Sequence, residues 1–153
     1  MARKNGKKKI VLASGVFDLL HLGHVKFLEE AKKIGGNDAE LVVIIARDIT
    51  VEENKGRKPI MSENQRRALV ESLKVVDEAV LGFEKFDIGD VIERVKPDFI
   101  ALGYDQADME KGIKRYVTKH KLNIQIIRIG KFEEDELDSS SKIRQKIVEK
   151  FVR

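Results

Sequence analysis

Residues 9–27 read KIVLASGVFDLLHLGHVKF and decide how the rest of the chain is interpreted. The apolar run at 9–13 has the length of one strand and does not alternate with polar residues, which is typical of a strand buried on both faces of a parallel sheet. A short turn leads into residues 22–34, whose pattern predicts a helix ending at Gly35 and Gly36. Two of the three histidines of the chain, His21 and His24, lie at this strand-to-helix turn.

The same alternation of a strand and a helix continues to the end of the chain. It predicts a single-domain doubly wound (Rossmann-like) α/β fold, with a five-stranded parallel sheet and helices on both faces. The predicted strands are 9–13, 40–46, 78–82, 98–103 and 123–129, and the predicted helices are 22–34, 62–74, 87–95, 109–120 and 139–151. Residues 47–61 are predicted to form a loop. In such sheets, ligands bind beyond the carboxyl ends of the strands.

The composition of the chain excludes some classes of protein and of functional site. The 153 residues suit one domain, 1–153, and we expect the first eight residues to form a basic and flexible tail. The sequence has no cysteine, which excludes disulfides and thiolate catalysis. It also lacks an apolar run of about 18 residues and a signal-peptide pattern, so we expect a cytoplasmic protein with no membrane partner. The basic tail carries no aromatic residues, and we expect no nucleic-acid partner.

The turn after the first predicted strand has the features of an anion site. A helix starting near Leu22 would direct free backbone N–H groups at a ligand, and residues three apart would share one helix face. Gly15 and Gly23 would let a phosphate approach the backbone closely, because they have no Cβ. Two other interpretations are that one histidine caps the helix while the other packs, and that the pair binds zinc, which would need a third protein ligand.

GVFDLLHLGH, at 15–24, resembles the HxGH signature of the cytidylyltransferase-like nucleotidyltransferases. The segment 48–80 resembles the middle of glycerol-3-phosphate cytidylyltransferases, with Lys74 where arginine is usual. DSSSKIRQKI, at 138–147, resembles the I-S-S/T-T-x-I-R signature, with Asp138 and Ser139 in place of its Ile-Ser start. The resemblance implies transfer of a nucleotidyl group from a nucleoside triphosphate to an acceptor phosphate.

The resemblance also implies a set of site residues. His21, His24 and Arg144 would act in catalysis, together with Lys55 or Lys58, between which the sequence does not choose. A Mg²⁺ ion would be held mainly by substrate phosphates. Asp18 would either order its own turn or orient a histidine. The residues implied to bind the nucleotide or acceptor are Gly15, Val16, Phe17, Gly23, Gly103, Tyr104, Asp105, Gln106, Ser140 and Ser141.

The loop LGYDQADME, at 102–110, bears on the substrate. Glycerol-3-phosphate cytidylyltransferases have an Asp-Trp pair here, but this chain has Asp105 and Gln106. The loop resembles that of the archaeal FAD synthases, single-domain enzymes without a riboflavin kinase domain. This implies AMP transfer from ATP to FMN in a homodimer, with Tyr104 facing the flavin ring or packing at the strand end. The alternatives are CTP-dependent transfer to glycerol 3-phosphate or another polyol or sugar phosphate, transfer to phosphopantetheine, and a nucleotide- or RNA-binding module without catalysis.

Overall fold

A computed structural model describes residues 8–85, 87–132 and 137–152 of the chain. The predicted basic tail lies outside the described residues, except for Lys8, which is exposed. Five strands form one sheet, and each lies within two residues of its predicted position. They are β1 (Ile10–Gly15), β2 (Glu40–Ile45), β3 (Glu78–Leu81), β4 (Phe99–Leu102) and β5 (Gln125–Arg128).

All the strand pairs are parallel, and the strand order is β3-β2-β1-β4-β5. The order therefore reverses beside β1, which pairs with β2 on one side and with β4 on the other. The chain leaves these neighbouring strands in different directions, so a crevice opens beyond their carboxyl ends. This arrangement places the turn after β1 next to the loop after β4.

The core lies on both faces of the sheet, as the apolar strands predict. Val11 and Ala13 pack against α1 (Leu22–Ile34) and α3 (Glu63–Glu71) on one face. Leu12 and its neighbours pack against α4 (Ile88–Val95) and α5 (Ala107–Lys119) on the other. The doubly wound fold with helices on both faces is confirmed. None of the helices in the described ranges is long and apolar enough to cross a bilayer.

The prediction of a loop over 47–61 is wrong in part, because it contains a further helix, α2 (Asp48–Lys55). The segment is polar and partly β-branched, and only Val51 of the helix is buried. The backbone N–H of Asp48 donates to a side-chain oxygen of Glu63, on α3, at 3.0 Å. Because this donor at the helix start is satisfied by a residue 15 positions away, no local capping pattern marks the helix in the sequence.

The remaining helix, α6 (Ser140–Phe151), ends the described chain and buries none of its residues. Its N-cap is Ser139, whose hydroxyl accepts a hydrogen bond from the backbone N–H of Lys142 at 3.2 Å. Asp138, which is buried, comes directly before this N-cap residue.

Candidate active site

A large cleft of about 1220 Å³ lies beyond the carboxyl ends of β1 and β4. It is lined by the segments that follow β1, β2, β4 and β5, which come from distant parts of the chain. All fifteen residues predicted for the site line this cleft. They are Gly15, Val16, Phe17, His21, Gly23, His24, Lys55, Lys58, Gly103, Tyr104, Asp105, Gln106, Ser140, Ser141 and Arg144.

The two histidines form a reciprocal cap at the start of α1. His21 is the N-cap, and its Nδ1 accepts from the backbone N–H of His24 at 3.4 Å. In return, the backbone N–H of His21 donates to Nδ1 of His24 at 3.3 Å. The two rings stack with their centroids 3.7 Å apart. The capping interpretation is therefore correct for His21, and the same side chain lines the cleft.

This cap determines which ring atoms can serve a ligand. Since both Nδ1 atoms act as acceptors, each neutral ring carries its proton on Nε2 and can donate from there. Burial lowers the pKa of His21, although Asp138 opposes the shift. Burial, followed by repulsion from His21, lowers the pKa of His24 to about 3. The free protein therefore holds both rings neutral at pH 7.

Gly15 and Gly23 lie where a Cβ would meet other atoms of the protein. A Cβ on Gly23 would lie 2.6 Å from the backbone oxygen of Asp138 and 2.9 Å from the His21 ring. A Cβ on Gly15 would lie 2.8 Å from the ring of Phe17. Both glycines line the cleft, but protein atoms already occupy the space beside them. They allow segments of the protein to pack closely around the histidines. Close approach of a phosphate to their backbone stays a prediction.

Asp18 has neither of the two roles considered from the sequence. Its side chain is buried, and its two oxygens accept from the backbone N–H groups of Ile60 at 2.8 Å and Met61 at 2.9 Å. The backbone oxygen of Asp18 accepts a hydrogen bond from the hydroxyl of Ser140. Asp18 therefore joins the turn after β1 to the segment after α2 and to the start of α6.

Arg66 is a second connection, which the sequence analysis missed. It is completely buried on α3, and it donates to the backbone oxygens of Met61 at 3.0 Å and Val16 at 2.8 Å. It also pairs with Asp48 at 2.7 Å. A buried guanidinium is costly unless its donors are satisfied, so these bonds hold the two segments in one arrangement. Nothing in the local sequence distinguishes Arg66 from Arg67, whose side chain is about one-third exposed.

The cations of the second segment gather at one wall of the cleft. Lys55 ends α2, Gly56 follows it with a φ of 72°, and Arg57 and Lys58 come next. Lys55 helps to lower the pKa of His24, which indicates that its ammonium group acts on that ring. Both candidate lysines line the cleft, and so does Arg57, which was not among the predicted site residues.

The loop after β4 forms the opposite wall. The side-chain oxygen of Gln106 accepts from the backbone N–H of Gly103 at 2.8 Å, and its amide nitrogen donates to the backbone oxygen of Ser14 at 3.4 Å. Gln106 thus ties β4 to β1 as well as lining the cleft. Tyr104 is half exposed, and the ammonium of Lys131 lies 5.5 Å from its ring centroid. This end of the cleft offers a planar aromatic surface beside a cation.

The segment that enters α6 closes the cleft beside the histidines. Arg144 donates to the hydroxyl of Ser141 at 3.1 Å, so the predicted pair lies together at the helix start. Asp138 has a side chain that is 1% exposed and accepts from Lys142 Nζ at 2.7 Å through Oδ1. Within the described ranges, its Oδ2 has no hydrogen-bond partner. The hydrogen bond from Lys142 lowers the pKa of Asp138, which is therefore ionised at pH 7.

Metal binding by the protein alone is not supported by the geometry of the cleft. Among the described residues, no three His, Asp or Glu side chains gather where they could hold an ion. Asp18 is committed to two backbone N–H groups, and one oxygen of Asp138 is committed to Lys142. Mg²⁺ binding through the substrate phosphates, with most of its waters kept, stays a prediction.

Comparison with known proteins places the chain in a family. Residues 12–146 match the family model described as Cytidylyltransferase-like. The chain is 50% identical over 139 residues to the FAD synthase of Thermoplasma volcanium, covering 91% of this chain and 94% of that protein. It is 51% identical over 140 residues to the FAD synthase of Ferroglobus placidus, covering 92% and 88%.

Solved structures agree with this placement. A crystal structure described as the lipopolysaccharide core biosynthesis protein of Thermoplasma volcanium is 47% identical, with a TM-score of 0.75, covering 82% of this chain and 99% of that one. A pantoate-beta-alanine ligase from Francisella tularensis shares the fold, with a TM-score of 0.65 at 17% identity over 94% of this chain and 69% of that one. The chain belongs to the cytidylyltransferase-like family and is half identical to FAD synthases within it.

Proposed function

We propose that this protein is an FAD synthase, which transfers the AMP portion of ATP to FMN. An oxygen of the FMN phosphate attacks the α-phosphorus of ATP, the new P–O–P bond forms, and the bond to the leaving pyrophosphate breaks. The observation that carries the proposal is the identity of about half of the residues to FAD synthases over nine-tenths of the chain. The cleft supports it, because histidine, lysine and arginine side chains meet there from three segments.

The cleft residues suit a reaction that needs positioning and charge stabilisation rather than a covalent intermediate. In this proposal, Nε2–H groups of His21 and His24 donate to the triphosphate. Lys55 and Lys58 approach from one wall, and Arg144 approaches from the start of α6. Loss of one such donor typically costs about a hundredfold or more in rate. A Mg²⁺ ion bound to the phosphates would neutralise part of the charge that the pyrophosphate carries away.

The aromatic end of the cleft is assigned to the acceptor. Tyr104 presents a half-exposed ring, and Lys131 lies beside it. An isoalloxazine ring stacked on Tyr104 would gain favourable aromatic contact. We also propose a homodimer by analogy with the family, and light scattering of the purified protein would measure its mass.

Product formation tests the function directly. Purified protein with Mg²⁺ and either ATP or CTP is incubated with FMN, glycerol 3-phosphate or phosphopantetheine, and pyrophosphate and product mass are measured together. We expect FAD from ATP and FMN alone. His24→Asn should lose at least a hundredfold in rate, whereas His120→Asn, at the far end of α5, should retain activity. A CDP-linked product would overturn the proposal in favour of cytidylyl transfer.

A further inference from the structure

The buried carboxylate of Asp138 is not explained by the roles assigned so far. Its side chain is almost completely buried, yet within the described residues Oδ2 has no hydrogen-bond partner. An ionised oxygen in this state is costly unless some state of the protein supplies a donor. Asp138 lines the cleft, so ligand binding is the event that can change its surroundings.

The His21 ring is a candidate donor that the geometry identifies. The backbone oxygen of Asp138 and atoms Nδ1 and Cε1 of His21 all lie within 3 Å of one point, the position of a Cβ on Gly23. The charge of Asp138 also acts on His21, since it raises the pKa of the ring against the effect of burial. Asp138 and His21 are therefore neighbours, since the backbone oxygen of Asp138 and the ring of His21 both lie beside Gly23.

In the free protein, the helix cap prevents a bond between them. Nδ1 of His21 accepts from the backbone N–H of His24, so it carries no proton to donate. A protonated His21 would carry hydrogen on both nitrogens, and its Nδ1 could no longer accept from His24. That new N–H would need an acceptor, and Asp138 provides a charged one with a free oxygen.

We propose that Asp138 is a positioning residue for His21 during nucleotide binding. When the triphosphate binds, His21 takes a proton from solvent on Nδ1, releases the backbone N–H of His24 and donates to the carboxylate of Asp138. Nε2–H stays directed to the phosphate. The released N–H of His24, in the first turn of α1, becomes one more donor for the anion. One capping bond is thereby exchanged for a charged pair and a phosphate contact.

The charged groups around His21 set the direction of each test. His24 stacks on the ring from α1, and Lys55 acts on His24 from α2. Asp138 faces it from the segment before α6, and Asp138 is itself paired with Lys142 and influenced by Lys131. Removing the charge of Asp138 should oppose protonation of His21. Removing the charge of Lys142 should favour it.

Nuclear magnetic resonance of the ring nitrogens measures this protonation. The chain has three histidines, so its spectrum is simple, and His120 serves as an internal reference. With Mg²⁺ and α,β-methylene-ATP, we expect the wild-type His21 to become an imidazolium near neutral pH. In Asp138→Asn, its pKa in the complex should fall by about one pH unit or more. In Lys142→Met it should rise, and Asp90→Asn, the same change on an exposed residue of α4, should leave it unchanged.

The proposal rests on the proposed function, but its test does not depend on FAD production. If His21 stays neutral in the complex, or if Asp138→Asn titrates like wild type, the role of Asp138 is refuted even when FAD is made. If His21 becomes charged but no FAD forms, the function fails while the pairing stands. In the active enzyme, kcat reports the pKa of groups in the bound complex, so kcat of Asp138→Asn should fall at a lower pH than that of wild type on the alkaline side. Lys142→Met keeps the test open if Asp138→Asn does not fold.

Discussion

Replacement of Asp18 by asparagine tests how the cleft is held together. The two carboxylate oxygens each accept from a backbone N–H, those of Ile60 and Met61. Asparagine keeps one accepting oxygen and turns an NH₂ group towards the other amide, so that one part-buried backbone donor loses its partner. An unsatisfied buried group costs about 1–3 kcal/mol. We therefore expect the free energy of unfolding of Asp18→Asn to fall by about 2 kcal/mol.

The same change should weaken nucleotide binding, because the pinned segment carries Arg57 and Lys58 into the cleft. If the segment must be ordered again on binding, a cost of about 2 kcal/mol corresponds to a rise of up to about 30-fold in the KM for ATP. The assay combines urea denaturation with steady-state FAD formation. Asp38→Asn, an identical change at an exposed turn, is the matched control and should behave as wild type.

The reasoning would be refuted by an Asp18→Asn protein whose unfolding midpoint and KM for ATP both equal those of wild type. A protein that loses stability but keeps its KM would limit the carboxylate to stabilising the turn. In that case, Lys58 would reach its position without help from Asp18.

Three further changes are expected to have measurable effects. Arg66→Met should lower the free energy of unfolding by about 3–5 kcal/mol in urea titrations, since it leaves two backbone oxygens and Asp48 without their donor. Equal stability would contradict the role given to this cation. Gly23→Ala should reduce both thermal stability and kcat, because its methyl group would meet the backbone oxygen of Asp138 at 2.6 Å. Gly112→Ala, at a position with open space around it, should leave both quantities unchanged. Lowering the pH from about 7 to about 5 should reduce the free energy of unfolding of the free protein by up to about 2 kcal/mol through His24, because the unfolded ring is protonated below about 6.5 and the folded ring only near 3. This contribution is present above the unfolded pKa and is lost as the pH falls. His24→Asn should remove it from the pH dependence of the urea midpoints.

The sequence allowed the order of elements and the residues of the cleft to be predicted. Buried parallel strands are marked by continuous apolar runs, and α1 and α6 begin at turns with recognisable polar residues. The resemblance of 15–24 and 138–147 to family signatures then implied the site residues, all of which line one cleft. The helix α2 was missed, because its first amide is satisfied by Glu63 rather than by a neighbour in sequence.

The sequence by itself determined that this is a five-stranded parallel α/β protein whose first strand is followed by a turn with two histidines. Both features depend on local patterns of residues. Only the tertiary structure decided that Asp18 holds the segment after α2, that Arg66 is fully buried, and that Gly23 admits the carbonyl of Asp138. These contacts join residues that are about 40 to more than 100 positions apart in the chain. Such a partner cannot be predicted from a residue type and its immediate neighbours in sequence, because the packing of the whole fold brings the two residues together.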